Sequence, residues 1–213
     1  MYDRDVKNKT LTFQVSGMLW QRSLVMRDLE TKSLWSHLMG KAMDGQLKGT
    51  SLDLFPAAMT TWGEWKQRHP NTTLLAMSRS AMRFDKRVWE NASRFVYGTT
   101  PHVTGKSISV ALQHLQKKKI VQTPDGKQHL LFTYSDHGKR VQSFSRMING
   151  KALNFLATEN DTMTDQETGS TWNAVTGRCL TGKLKGTHLK RIPGTISYLR
   201  AWQIFFPNAK VIP

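Results

Sequence analysis

One cysteine, Cys179, stands alone among 213 residues. A lone thiol excludes an internal disulfide framework and any zinc site built from two or four thiolates. Long hydrophobic runs are also missing: nothing approaches the roughly 18 consecutive apolar residues of a membrane-spanning helix. The N-terminal stretch lacks the basic-then-apolar order of a signal peptide. Among enzyme signatures, the Gly-x-Ser-x-Gly elbow, the phosphate-binding P-loop, the dinucleotide fingerprint and the His-Glu-x-x-His zinc helix are all absent, so most familiar catalytic classes lose support. Acidic residues are scarce, 15 against 31 Lys plus Arg, giving a formal charge of +16. Such a chain attracts polyanions non-specifically. Its basic residues are scattered and match no nucleic-acid-binding motif, so the charge reads as a solvated basic surface.

What is present is a repeat. Residues 26–75 align without a gap on 163–212 at a constant offset of 137, and 17 of the 50 pairs are identical. Roughly three identities are expected from ordinary residue usage. The shared residues include Asp28/Asp165, Glu30/Glu167, Thr31/Thr168, Ser33/Ser170, Trp35/Trp172, Trp65/Trp202 and three glycine pairs. Upstream, residues 1–13 match 143–155 with a shift of five, sharing Arg4/Arg146, Lys9/Lys151, Leu11/Leu153 and Phe13/Phe155. The second copy extends back to about residue 100, so the chain is expected to enter its first copy partway through.

The pattern predicts an α+β fold of two pseudo-symmetric repeat units, rich in antiparallel sheet with short helices, the first unit incomplete and the pair related by a pseudo-twofold axis. The expected division is a first unit over 1–75, a crossover over 76–100 and a second unit over 101–213, forming one compact domain. Residues 107–116 place Ile108, Ala111, Leu112 and Leu115 at helical spacing, ahead of a lysine cluster at 117–119. Strand-like runs follow at 128–135, 139–148 and 151–158, joined by His137-Gly138 and Asn149-Gly150 turns. After Pro56 and Pro193, the trios Met59, Trp62, Trp65 and Ile196, Leu199, Trp202 each suggest one apolar face of a short helix. Leu74-Leu75 and Val211-Ile212 are expected as short strands.

The motifs ETKSLWS, TTWGEWK and RHPNT in the first copy, with GKSISVALQHLQKKKIV, TDQETGSTWN and AW-x-IFFPNAKV in the second, resemble an uncharacterised prokaryotic family, the domain of unknown function 3179. The likeness covers nearly the whole chain, read as an N-terminally truncated member. It brings no settled activity. Relatives usually carry a Cys-Pro-Leu-Cys-like segment just before the counterpart of Tyr2-Asp3-Arg4, which implies a metal or redox association; the corresponding stretch of the second copy, residues 134–139, has no cysteine. The resemblance also suggests exported relatives, leaving the compartment open.

Candidate sites follow from residue chemistry. Trp35 could wall a pocket with Ser36 and His37 facing a ligand, or anchor a turn from within the core. Asp28 and Asp165, with Glu30 and Glu167, could act as paired carboxylates, or bind nearby amides as turn residues. Trp62, Trp65, Trp172 and Trp202 are further pocket candidates, and Ser36, His37 and Asp28 the candidates for catalysis. The histidines lack metal-ligand spacing, although His129 and His137 flank one expected hairpin and could join Cys179 at a weak metal site. No cofactor is evident. The reading is a binding module using a cleft between its halves; an enzyme of unrecognised type centred on Ser36 and His37, a metal- or redox-associated protein, and a polyanion binder are the alternatives. The partners considered are a small ligand, a second copy of the chain and polyanions.

Overall fold

A computed structural model describes residues 1–74, 90–123 and 128–213. The chain forms two compact units. The first comprises Met1–Ala57, Val96–Ser109 and Pro193–Ile212; the second comprises Ala58–Phe95, Val110–Ile192 and Pro213.

In unit 1 a four-stranded antiparallel meander runs through Phe13–Trp20, Ser23–Asp28, Leu34–Ser36 and Lys41–Asp44. Unit 2 repeats it as Phe155–Ala157, Thr162–Asp165, Thr171–Asn173 and Cys179–Thr181. The registers correspond residue by residue: Met26 faces Trp35 and Trp35 faces Ala42, as Met163 faces Trp172 and Trp172 faces Cys179. Edge-to-face pairs also repeat, Phe13 on Trp35 at 5.5 Å and Phe155 on Trp172 at 5.7 Å. Around them close equivalent cores, Leu11, Trp35, Ala42 and Leu52 in one unit and Leu153, Trp172, Cys179 and Leu189 in the other. The identities found by alignment are therefore mostly core and turn positions.

A further sheet, made mostly of unit 1 residues, has the order Thr195–Tyr198, Phe95–Thr99, Ile108–Ala111 and Lys210–Ile212. Unit 2 has the three-stranded order Arg140–Ser145, Leu130–Ser135, Ile120–Gln122. The hairpin expected at Asn149-Gly150 forms between Met147–Ile148 and Lys151–Ala152, with both turn residues at positive φ, 48° and 78°. That is the geometry Asn-Gly favours.

Several sequence expectations change. Ile108–Ala111 is strand, and the helix begins only at Leu112, running to Lys118. Ile108, Ser109 and Val110 are all buried, and a strand enclosed on both faces shows no alternation that periodicity can detect. The helix after Pro56 spans Trp62–Arg68, with Thr61 as its N-cap. Met59 precedes it, Trp62 is 47% exposed, and the buried residue is Glu64, so the apolar trio does not define its inner face. Ile196 belongs to a strand, while the helix Leu199–Phe205 buries Trp202 and Phe205. Leu74 is exposed and outside any strand; Leu75 lies outside the described residues, as do residues 76–89 of the expected crossover. Its remaining part contains the buried strand Phe95–Thr99.

The helices are exchanged between repeats. Helix Trp62–Arg68, from the first copy, is part of unit 2, and helix Leu199–Phe205, from the second copy, is part of unit 1.

Candidate functional site

The Glu-Thr-x-Ser-x-Trp signature builds the same polar knot twice. Asp28 is buried; its Oδ2 accepts from Trp35 Nε1 at 2.8 Å, and its Oδ1 from the Thr31 amide at 2.5 Å. Asp165 accepts from Trp172 Nε1 at 2.8 Å and from the Thr168 amide at 2.6 Å. In each copy the Thr hydroxyl lies 2.7 Å from the Ser hydroxyl, and that Ser oxygen accepts the amide of Leu47 or Leu184. Burial alone would raise the Asp28 pKa, but the donors Trp35, Thr31 and Ser33 outweigh it and hold the group below the ordinary carboxylate range. Glu30 and Glu167 accept the amides of Thr12 and Asn154, both at 2.8 Å. These four carboxylates bind backbone and indole donors within their own units.

Ser36 is buried and its Oγ accepts the Met39 amide at 3.3 Å; its counterpart Asn173 accepts the Val175 and Thr176 amides at 3.0 and 2.8 Å. His37 lies at the surface, edge-on to the Tyr2 ring at 6.2 Å, while the Tyr2 hydroxyl donates to its carbonyl at 2.6 Å. Partial burial, and then the N-terminal ammonium, hold the His37 pKa below its ordinary value. Asp28, Ser36 and His37 thus serve separate backbone tasks, and no hydrogen bond joins any two of them. Trp35, Trp172 and Trp202 are fully enclosed; Trp65 is half-buried, its indole donating to Thr72 at 3.1 Å.

The three metal candidates occupy different environments. Cys179 is sealed in the unit 2 core, donating to the carbonyls of Thr171 and Thr181, and burial pushes its thiol pKa up. His129 is half-buried and His137 is exposed. Among the described residues no group of three or more His, Cys, Asp or Glu is placed to hold a metal.

Two concavities stand out, neither lined by the tryptophans singled out above. In unit 2 a cavity of about 450 Å³ is walled by Lys119, Tyr134, Asp136, His137 and residues 157–162. Several of its charges are engaged: Lys119 pairs with Asp136 and lies 5.1 Å over the Tyr134 ring, and Asp161 accepts from Ser135 at 2.6 Å. In unit 1 an open groove of about 620 Å³ is lined by Met18, Leu19, Trp20, Val25, Leu34, Met39 and Met43, with Lys41, Asp44 and Lys48 among its polar residues.

That groove depends on one difference between the copies. The path from Phe13 to its partner Asp28 is five residues longer than that from Phe155 to Asp165, which accounts for the alignment shift. The extra residues form a bulge and an extended hairpin. Ser16 Oγ donates to the Val25 carbonyl at 2.7 Å and accepts the Met18 amide at 3.1 Å, around Gly17 at φ +82°. Such a bulge re-aims the side chains that follow it. Trp20 packs edge-to-face on Phe205 at 4.8 Å.

Comparison with known families places this arrangement. Residues 1–155 and, in an overlapping second match, 100–213 align to the family described as Protein of unknown function (DUF3179). The chain belongs to the DUF3179 family. No curated protein and no solved structure matches it. No helix of the DUF3179 chain, among its described residues, is long and apolar enough to cross a membrane. The two family matches overlap over residues 100–155.

Sequence reasoning passed over the groove-forming residues Met18, Leu19 and Trp20. The signal was available, since they occupy the five-residue shift, but a shift in an alignment has no chemistry until the strands around it are paired.

Proposed function

We propose that this DUF3179 chain is a binding module that takes a small, mainly apolar molecule with an anionic end in the groove beneath the extended hairpin of unit 1. One observation carries the reading: the second copy closes the same meander without those five residues, so the fold does not require them, yet they present Met18, Leu19 and Trp20 to solvent. Leu19 is 70% exposed. An exposed apolar stretch kept beside a concavity of this size fits ligand sites, which are mostly apolar with a few polar groups. Lys41 and Lys48 supply cationic groups for the anionic end.

Anilinonaphthalene sulfonate, an apolar body with one sulfonate, is a suitable probe. It is expected to bind saturably with a blue-shifted emission, and a Met18→Ser/Leu19→Ser variant is expected to bind at least tenfold more weakly while keeping the wild-type circular dichroism. Equal affinity in the two proteins would locate binding elsewhere and end this reading.

A further inference from the structure

Within unit 2, strand Arg140–Ser145 puts Arg140, Gln142 and Phe144 on one face. Phe144 fills the core, but the other two are polar and equally enclosed, 6% and 4% exposed. An isolated bridge between Phe144 and Arg191 brings Arg191 beside the same strand. From helix Trp62–Arg68, the buried Glu64 pairs with Arg68, accepts from Thr60 Oγ1 at 2.8 Å and lies 3.6 Å from Arg140 Nη1. Gly138 makes this approach possible: at φ +75°, a Cβ there would lie 2.6 Å from Thr60 Oγ1 and 2.9 Å from Glu64 Cγ.

By hydrogen-bond geometry the cluster leaves two donors unmet against one acceptor, Glu64 Oε1, which is held as an ion pair by Arg68 and Arg140. Arg140 Nε and Gln142 Nε2 are buried without a hydrogen-bond partner. The hydroxyls opposite them across the ladder, Thr133 and Ser135, donate to the Ala174 carbonyl at 2.7 Å and to Asp161 at 2.6 Å, and neither accepts from Arg140 Nε or Gln142 Nε2. The Arg68 and Arg140 guanidinium groups share the Glu64 carboxylate, and Arg191 is a further positive charge near Arg140. Burial, opposed by Glu64 and reinforced by Arg68 and Arg191, lowers the Arg140 pKa. Leaving buried donors unmet is costly, most of all on a charged group.

We propose that Arg140 Nε–H and Gln142 Nε2–H form the floor of a small oxyanion site, receiving the oxygens of a carboxylate, phosphate or sulfate group. Side chains two apart on a strand face have Cα atoms about 7 Å apart, a spacing that one oxyanion accepting from both can bridge. Charge-assisted bonds of this kind are roughly twice as strong as neutral ones, which favours an anion over water. The site is separate from the groove of unit 1 and does not depend on it.

The test is calorimetric titration of the full chain with phosphate, sulfate and acetate in turn, at ionic strength held constant with chloride. Wild type is compared with Gln142→Met, Arg140→Lys and the remote control Lys151→Gln. Gln142→Met removes an unmet donor, so without added anion it is expected to be at least as stable as wild type, and loss of binding cannot be blamed on misfolding. The expected result is one saturable site per chain for at least one of the three anions, at least tenfold weaker in Gln142→Met and Arg140→Lys and unchanged in Lys151→Gln. Which anion binds distinguishes a carboxylate ligand from a phosphate or sulfate. Absence of saturable binding by all three, or equal binding by wild type and Gln142→Met, would mean that water meets these donors and would overturn the proposal.

Discussion

Replacing Asp28 by Asn tests the buried knot with a change of one atom type. Asn retains Oδ1, which can still accept from Thr31, but it puts an Nδ2–H₂ donor where Oδ2 now accepts the Trp35 indole at 2.8 Å. Two donors then face each other inside a closed core. The loss combines a charge-assisted hydrogen bond, about 1.5–3 kcal/mol, with the cost of an unmet buried indole N–H, about 1–3 kcal/mol; since these overlap, a net loss of about 3 kcal/mol is expected. The acid limb gives a second signature. The folded-state pKa of Asp28 is depressed, so its contribution is fully present above the unfolded value near 3.9 and disappears as pH falls through the folded value. Urea unfolding followed by tryptophan fluorescence at pH 7 and again near pH 3 should therefore show a gap between wild type and Asp28→Asn that narrows in acid. A variant within 0.5 kcal/mol of wild type at pH 7, or a gap of constant size across this range, would refute the account.

The glycine pairs separate two costs that usually occur together. A Cβ at Gly45 or Gly182 would lie 2.7 Å from the Cα of Ser33 or Ser170, whereas Gly49 and Gly186 share the same left-handed φ with nothing within 4 Å. Gly49→Ala and Gly186→Ala should cost about 1–2 kcal/mol of conformational strain, and Gly45→Ala and Gly182→Ala distinctly more; equal urea midpoints within each copy would contradict the close approach. Glu64→Gln leaves Arg140 buried without its carboxylate and should cost about 3 kcal/mol at neutral pH. The Glu64 pKa is lowered because Thr60, Arg68 and Arg140 outweigh desolvation, so the cost should vanish as pH falls below the ordinary carboxylate range; a midpoint unchanged at pH 7 would show the pair to be solvated.

The features legible in the sequence were those fixed by short-range chemistry. Asn149-Gly150 dictated its hairpin because Asn and Gly readily take the positive φ that a tight turn needs at both central positions. The repeat was visible because Asp28, Thr31, Ser33, Trp35 and Gly45 interlock so closely that neither copy could change one alone. Ile108–Ala111 misled because its spacing suits a helix, and only its neighbours Phe95–Thr99 and Lys210–Ile212, distant in sequence, make it a strand. Met59, Trp62 and Trp65 misled for the opposite reason: their helix turns Glu64 inward toward Arg140, a partner 76 positions away that no local pattern could suggest. Candidate site residues divided similarly. Ser36 and Asp28 looked chemical because hydroxyls and carboxylates suit both catalysis and turns, and only their bonding partners show the turn. Arg140 and Gln142 were overlooked because a basic residue in a basic chain does not stand out until burial isolates it.

The exchange of helices between repeats bears on how the chain is made. Unit 1 starts at Met1 yet needs residues 193–212 for a strand and its Trp202 helix. At ribosomal rates of about 5–20 residues per second, its meander waits on the order of ten seconds for those later pieces, with Met18, Leu19 and Trp20 displayed throughout. Unit 2 draws on nothing beyond Ile192 except the terminal residue. Of the two units, the one begun earlier is thus the one completed later, and during that interval its nascent apolar hairpin is within reach of chaperones.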